Sequence, residues 1–181
     1  MSETSSHAAS VARPAAGTGS RDLWLLAAPI VAADQATKAL VRLELDHHES
    51  VTIIPGLLDL THVRNTGAAF GLLGAAEFPG KAVLMLLVAV VAMAAIAWYA
   101  AQLPASERLA RRGLGLVLGG AAGNLIDRAT QGYVLDFVDV YYGRFHFWAF
   151  NLADAAITVG AALVVLDLLL ASGRRHVPGP R

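Results

Sequence analysis

The sequence predicts an all-α integral membrane protein with four transmembrane helices, and three observations predict it. Hydrophobic residues make up 56% of the 181 residues and charged residues only 15%, against roughly 25% charged residues in soluble domains. Four apolar stretches divide the chain, and the clearest of them has about the 20 residues that a spanning helix needs. Charged side chains gather at one end of the other three stretches instead of being scattered along them.

The first helix is predicted at about residues 22–41. Its apolar core, Leu23–Ala33, is uncharged, and Asp34 and Lys38 follow before the apolar pattern ends. A cleaved signal peptide has a similarly short core, but these two charges fit a helix that lines an interior better than a small-residue cleavage site. The preceding residues 1–20 are rich in Ser, Ala, Gly and Thr and are predicted to form a disordered tail.

The other three helices are predicted at about residues 81–101, 112–128 and 152–171. The first of these is the clearest because no charge follows Lys81 until Glu107. The remaining two reach spanning length only if the polar residues at their ends are counted. The four helices and their connections therefore form one predicted membrane domain, residues 21–172, followed by a second polar tail at 173–181.

The arginines set the predicted orientation. Both tails and the short connection between the second and third helices are rich in arginine, and such segments stay in the cytoplasm. Both termini are therefore predicted to be cytoplasmic, and the two longer segments, about 42–80 and 129–151, extracytoplasmic. The arginines are Arg13, Arg21, Arg108, Arg111, Arg112, Arg174, Arg175 and Arg181.

The first extracytoplasmic segment has two predicted parts. Residues 51–64 are predicted to form short strands around a Pro-Gly turn. Residues 65–74 are small and apolar and are predicted to lie at the membrane interface.

Three of the helices bring polar side chains to one depth near the outer face. At 1.5 Å per residue, Asp34 lies ~20 Å from the cytoplasmic end of the first helix and Asp127 ~22 Å from that of the third. Asp154 begins the fourth helix, which runs inward. Each intramembrane acid costs ~2.5–3.5 kcal/mol, so such residues mark functional sites. The polar set is Asp34, Lys38, Asn124, Asp127, Arg128, Asn151 and Asp154.

Helical spacing groups these residues further. Asp34 and Lys38 are four residues apart and can pair on one face. Asn151 and Asp154 are three apart and also share a face. Gly120, Asn124 and Asp127 form one stripe, in which the glycine allows a neighbouring helix to approach closely.

The number of acids exceeds the number of cations that can neutralise them. With Asp136 from the following segment, four acids (the others are Asp34, Asp127 and Asp154) face Lys38 and Arg128. At least two carboxyls are left without a fixed cation, and carboxyls held close together tend to share a proton. An aspartic protease works with such a pair, one carboxylate activating water and the other protonating the leaving group. The residues alone leave open which two acids form the pair.

Composition excludes several other chemistries. The chain has no cysteine, which removes thiolate nucleophiles and zinc–cysteine sites. No two histidines have the i, i+4 spacing of a helical metalloprotease site, so neither a metal nor another cofactor is expected. The net formal charge is zero, which gives no basic surface for nucleic acid.

Five sequence blocks carry a family resemblance. They are DQATK (34–38), RNTGAAFG (64–71), GGAAGNLIDR (119–128), GYVLDFVDV (132–140) and FNLADAAITVG (150–160). The chain resembles the type II, or prolipoprotein, signal peptidases of bacteria over nearly all of 22–171. The resemblance implies a multi-pass protein of the bacterial plasma membrane with an extracytoplasmic β-rich cradle, an interfacial helix and an active site facing outward.

The resemblance also implies the substrate and the site. The family cleaves the signal peptide of prolipoproteins just before a diacylglyceryl-modified cysteine, so the implied partners are these precursors and membrane lipid. A single self-sufficient bundle is the simpler expectation, so the protein is expected to be a monomer. By motif, the catalytic aspartates are Asp136 and Asp154, without a metal. Ala155 replaces the serine of many members, a conservative change. The supporting positions are Asp34, Lys38, Asn65, Gly67, Asn124, Asp127, Arg128 and Asn151.

Charge placement agrees with the choice of Asp136 over Asp127. Arg128 directly follows Asp127, and Lys38 is within reach of it, whereas Asp136 has no adjacent cation until Arg144. Asp127 is therefore expected to stay ionised with a structural role, as part of a supporting network with Asn124 and Arg128.

Several roles stay open. The pair of Asp34 and Lys38 fits a structural ion pair as well as a substrate contact, and Asn65 fits a turn as well as contact with the substrate backbone. Asp139 is expected to be solvated, and Asp167 to pair with an arginine of the C-terminal tail. The aromatic segment 141–150, with His146, is expected to form an interfacial belt.

Two other classes of protein also place acids in a membrane. The first is a small proton-coupled transporter, which needs intramembrane carboxylates. Against it, the chain has few spans and no inverted repeat. The second is a non-catalytic scaffold, which would not need uncompensated acids.

Overall fold

The computed structural model describes residues 18–67 and 78–175. In these ranges the chain forms four helices and a sheet of four strands. The helices are α1 (Thr18–Glu44), α2 (Lys81–Gln102), α3 (Arg108–Gln131) and α4 (Leu152–Arg175), and the strands are β1 (Ser50–Ile54), β2 (Leu58–Asn65), β3 (Val134–Tyr142) and β4 (Phe145–His146).

Helix α3 packs closely against α1 and α4 through glycines. A Cβ atom on Gly120 would collide with the carbonyl oxygen of Ala153 in α4, and one on Gly119 would lie 2.9 Å from the backbone of Ala27 in α1. Small residues let helix backbones approach in this way in membrane proteins. The close approach predicted at Gly120 is therefore confirmed, and it brings the polar faces of the three helices together.

Two of the described helices could cross a membrane by length and composition alone, at Lys81–Gln102 and Leu152–Ala171. Large apolar side chains such as Val83 and Val91 of α2 are exposed, as contact with lipid requires. Helices α1 and α3 carry more charge, and part of that charge is buried between the helices.

The helices extend beyond their predicted bounds. Helix α1 begins at Thr18, inside the tail predicted at 1–20, and α4 continues to Arg175, inside the tail predicted at 173–181. The apolar pattern marks only the turns with an apolar face, and polar turns continue the same helix beyond it. The rest of both tails and the expected interfacial helix lie outside the described residues.

The sheet is antiparallel with strand order β1-β2-β3-β4. The strands predicted within 51–64 are confirmed as β1 and β2, which turn at Gly56 with φ of 80°. Strand β3 was not predicted, because four consecutive residues from Val134 to Phe137 are buried and give no alternating pattern. Val63 of β2 pairs with Asp136 of β3, so the sheet brings Asn65 close to Asp136.

Candidate active site

Asn151 links the two acids that the family motifs select. It precedes the first residue of α4, and its side-chain oxygen accepts a hydrogen bond from the backbone N–H of Asp154 at 3.0 Å. Its amide nitrogen donates to Oδ1 of Asp136 at 2.7 Å. Because Asn is a strong helix-capping residue, the start of α4 fixes an amide group between the β3 acid and the α4 acid.

Asp154 lies half-buried in the first turn of α4. Its carboxylate accepts from the side-chain nitrogen of Asn124 at 2.8 Å and from the backbone N–H of Asn151 at 3.4 Å. Together with the cap from Asn151, the second bond makes a reciprocal pair of the capping-box type. A negative charge here is also favoured by the dipole of α4.

Asp136 is 2% exposed. Asn65 donates to its Oδ2 at 3.0 Å, and Asn151 holds its Oδ1. Burial, followed by the negative charge of Asp154, raises the pKa of Asp136 from 3.8 to about 7, although the two hydrogen bonds oppose the rise. Near neutral pH, Asp136 therefore exchanges a proton readily, as a catalytic acid must.

A buried ion cluster lies beside this pair. The ammonium of Lys38, fully buried, contacts Asp34 at 2.8 Å and Asp127 at 3.0 Å. It also donates to the side-chain oxygen of Asn124 at 3.0 Å. The predicted pair of Asp34 and Lys38 and the predicted reach of Lys38 to Asp127 are both confirmed. Asn124 is the neutral connection between this cluster and Asp154.

Both acids of the ion cluster, Asp34 and Asp127, accept hydrogen bonds from backbone N–H groups as well as binding cations. Asp34 accepts from the N–H of Ala153 in the first turn of α4 at 3.0 Å. Asp127 accepts from the N–H of Leu135, directly before Asp136, at 3.2 Å. These two carboxylates therefore position the elements that carry Asp154 and Asp136.

The prediction of which cations pair with Asp127 was partly wrong. Arg128 does not pair with Asp127, because consecutive residues of a helix face different directions. It donates to the carbonyl oxygens of Gly67 at 3.0 Å and Asn124 at 3.4 Å. Asp127 instead binds Arg42 at 2.9 Å and Gln35 at 3.3 Å.

Sequence reasoning missed Arg42 and Gln35 as members of the site, although both left a signal. Arg42 lies one helical turn after Lys38, on the same face of α1. Gln35 belongs to the DQATK block and also donates to the carbonyl oxygen of Gly123 at 3.1 Å.

Asn65 and Gly67 lie where β2 ends beside the acid pair. The side-chain oxygen of Asn65 accepts from the N–H of Gly67 at 2.9 Å. The turn role expected for Asn65 is therefore present, and the same side chain also binds Asp136. Every predicted site residue thus lies in one connected network between α1, α3, α4, the end of β2 and the start of β3.

Two acids outside the network were expected to be uninvolved. Asp139 was expected to be solvated, but it is half-buried and lies 2.8 Å from Nδ1 of His146, so that expectation was wrong. Pairing of β3 with β4 brings the two side chains together. The tail arginines that Asp167 was expected to bind have side chains outside the described residues.

Neither Asp136 nor Asp154 makes an ion pair with any described residue. In the same part of the chain, no group of three or more His, Asp or Glu side chains could hold a metal ion. The arrangement that remains is two neighbouring carboxyls held by amides, which can take up and release protons.

Comparison with known proteins gives one consistent match. A family profile described as signal peptidase (SPase) II matches residues 26–170. The lipoprotein signal peptidase of Syntrophotalea carbinolica is 43% identical over 146 residues, 81% of this chain and 89% of its own length. That of Geobacter metallireducens is 47% identical over 136 residues, 75% and 83% of the two chains.

Solved structures agree with the sequence match. Two structures described as bacterial membrane enzymes superpose with TM-scores of 0.76 and 0.71, at 28% and 30% identity. The first alignment covers 88% of this chain and 94% of the other, and the second 81% and 92%. Helices and sheet together thus follow a fold that bacterial membrane enzymes share.

Proposed function

The chain belongs to the signal peptidase II family of lipoprotein signal peptidases, and from this we propose that it is an aspartic endopeptidase. Its proposed reaction removes the signal peptide of a diacylglyceryl-modified prolipoprotein by cleavage just before the modified cysteine. The observation that carries the proposal is the neighbouring pair of Asp136 and Asp154, held by amides and without an ion-pair partner among the described residues.

The surroundings of the two acids suggest their roles. Asp136 is buried with a raised pKa and is the proposed holder of the proton. Asp154 accepts hydrogen bonds at the positive end of the α4 dipole and is the proposed carboxylate. In the first step, a water oxygen attacks the scissile carbonyl carbon, Asp154 takes the proton of that water, and Asp136 gives its proton to the carbonyl oxygen.

The second step restores the starting state. The C–N bond breaks as the nitrogen takes the proton held by Asp154, and one hydroxyl of the tetrahedral intermediate returns its proton to Asp136. The products are a new carboxyl group on the signal peptide and a free amine on the modified cysteine. Asn151 contacts both acids and keeps them aligned through both steps.

The proposed topology places the pair at the outer face of the membrane. Helices α2 and α4 are long and apolar enough to cross the bilayer, and the proposal has both of them do so. Helices α1 and α3 complete four spans, with their charges directed toward one another. Both termini are then cytoplasmic, because the arginine-rich segments lie at that end.

The proposed partners are the precursor and the membrane lipid around it. Asn65, Gly67 and Arg128 lie beside the pair where β2 ends and are the proposed contacts for the substrate backbone. Asp34, Lys38, Asn124 and Asp127 support the site. The protein is proposed to act as a monomer, because Asp136 and Asp154 both have their hydrogen-bond partners within one helical bundle. The comparisons give no support to a proton-coupled transporter.

The test is cleavage of a defined substrate. Purified protein is incubated with a synthetic diacylglyceryl-modified prolipoprotein peptide, and the mature fragment is measured by mass spectrometry. Asp136→Asn and Asp154→Asn are expected to abolish cleavage while the protein remains folded in detergent. Asp139→Asn and Asp167→Asn remove a carboxylate outside the network and are expected to cleave nearly as the wild type does.

Three results would contradict the proposal. Cleavage by Asp136→Asn at the normal rate would show that Asp136 is not the catalytic acid. Equal cleavage of a peptide without the diacylglyceryl group would show that the substrate is not recognised by its lipid modification. Proton flux into liposomes that depends on Asp167 would favour a transporter instead.

A further inference from the structure

Arg42 connects the end of α1 with the strand that carries Asp136. Its Nη2 atom donates to Oδ1 of Asp127 at 2.9 Å, and 25% of its side chain is exposed. Oδ2 of Asp127 accepts from the N–H of Leu135 at 3.2 Å. Arg42 is thus two hydrogen bonds from the backbone of β3, one residue before Asp136.

Arg42 also completes the charge balance of the site. When ionised, the site carboxylates Asp34, Asp127, Asp136 and Asp154 carry four negative charges. Among the described residues of this network, Lys38, Arg42 and Arg128 carry three positive charges. One proton shared by Asp136 and Asp154 brings the total to zero, and that singly protonated pair is the state in which one acid activates water while the other protonates.

The other charged or titratable groups nearby have separate partners. Arg128 interacts electrostatically with Asp154, Asp136 and Asp127 but donates its hydrogen bonds to backbone carbonyls. On the sheet side, Arg64 of β2 lies over the ring of Tyr133 at 4.9 Å, and His62 contacts the carbonyl oxygen of Leu45 at 2.9 Å. Arg42 is therefore the partly exposed cation that completes the ion cluster.

We propose that Arg42 is a positioning residue of the peptidase reaction, which orients Asp127 and β3 and supplies the charge that keeps one proton, and not two, on the pair. The proposal rests on the proposed aspartic function. The Nε atom of Arg42 is buried without a hydrogen-bond partner, an arrangement that stabilises the fold poorly.

Removal of Arg42 is expected to leave the protein folded. Asp127 keeps Lys38, Gln35 and the N–H of Leu135 as donors. The loss of a positive charge favours protonation of nearby carboxyls. Both limbs of the pH–rate profile therefore move to higher pH. The shift is expected to be at most about 1 unit, because Arg42 contacts Asp127 and not Asp136 or Asp154 themselves.

The experiment compares three variants with the wild type. Arg42→Gln removes the charge, Arg42→Lys keeps it, and Arg112→Gln removes an exposed charge from the opposite end of α3. The rate constant kcat and KM for the diacylglyceryl peptide are measured from about pH 5 to 9. Arg42→Gln is expected to shift both limbs upward, whereas Arg42→Lys and Arg112→Gln keep the wild-type profile. A profile lowered uniformly in Arg42→Gln, with unmoved limbs, would overturn the proposal.

A second measurement does not need activity. The side-chain carboxyl ¹³C signal of Asp136, identified by its loss in Asp136→Asn, is titrated by NMR in detergent. Its midpoint is expected to rise in Arg42→Gln and not in Arg112→Gln, and an unmoved midpoint contradicts the role of Arg42. If the wild type fails to cleave the peptide, the proposed function fails while this titration still decides the charge effect.

Discussion

Replacement of Asp136 by asparagine is expected to stabilise the fold above neutral pH, although it removes the proposed catalytic acid. The pKa of Asp136 is about 7 in the folded protein, against a value of 3.8 for an unperturbed aspartate. Because this pKa is raised, the folded protein binds the proton more tightly than the unfolded chain does. Stability is therefore lost as the pH rises from the unfolded-state value to the folded-state value.

The structure sets the size of this loss. A rise of about three pKa units gives at most about 4 kcal/mol above pH 7, of which roughly 1–2 kcal/mol is already lost by pH 5. Asparagine does not titrate, so the Asp136→Asn protein does not lose this stability as the pH rises. Its amide can accept a hydrogen bond from only one of the two donors, Asn65 and Asn151, which lowers stability by about 1–3 kcal/mol at every pH.

The pH dependence separates these two effects. Thermal unfolding of both proteins is measured in one detergent at pH of about 5 and 8. Between these values, the stability difference is expected to change in favour of Asp136→Asn by about 2–3 kcal/mol. That change corresponds to roughly 5–10 °C in the unfolding temperature for a domain of this size. A difference independent of pH would refute the reasoning, because Asp136 would then ionise as easily in the folded protein as in the unfolded chain.

Three further substitutions test the packing and polar contacts of the site. Lys38→Met leaves Asp34 and Asp127 buried without their shared cation and is expected to lower the free energy of unfolding by about 3–5 kcal/mol, measured by thermal unfolding. Gly120→Val forces side-chain atoms against the backbone of Ala153, and the separation of α3 from α4 is expected to lower stability by about 1–3 kcal/mol together with cleavage. Asn151→Ala removes the cap of α4, for about 0.5–2 kcal/mol of stability, but is expected to reduce kcat far more, because Asp136 and Asp154 lose their common contact.

Local rules of helix spacing predicted the ion cluster well. The separation of Asp34 and Lys38 by four residues indicated their pair, and the common depth of α1 and α3 indicated the contact of Lys38 with Asp127. The same rules were misapplied to Arg128, which follows Asp127 directly and so faces elsewhere. Arg42 obeyed them but lies just past the apolar stretch, where the predicted helix ended.

The sheet side of the site was harder to predict. Strand β3 is buried over four consecutive residues and has no alternating pattern, so no local pattern indicated that Asp136 lies on a strand. Its contact with Asn65 joins residues 71 positions apart and depends on the register of β2 against β3. Helical spacing cannot indicate that register, and only the family motifs singled out Asp136.

The kind of partner separates the four acids of the site into two roles. Asp34 and Asp127 bind cations, and each also accepts a hydrogen bond from the backbone of a neighbouring element. Asp136 and Asp154 are bound by amide side chains and backbone N–H groups. Amides orient a carboxyl group without adding a full charge that would keep it ionised. A pair that must pass a proton between its members needs such partners, and the cations one layer away keep the surrounding framework fixed while the proton moves.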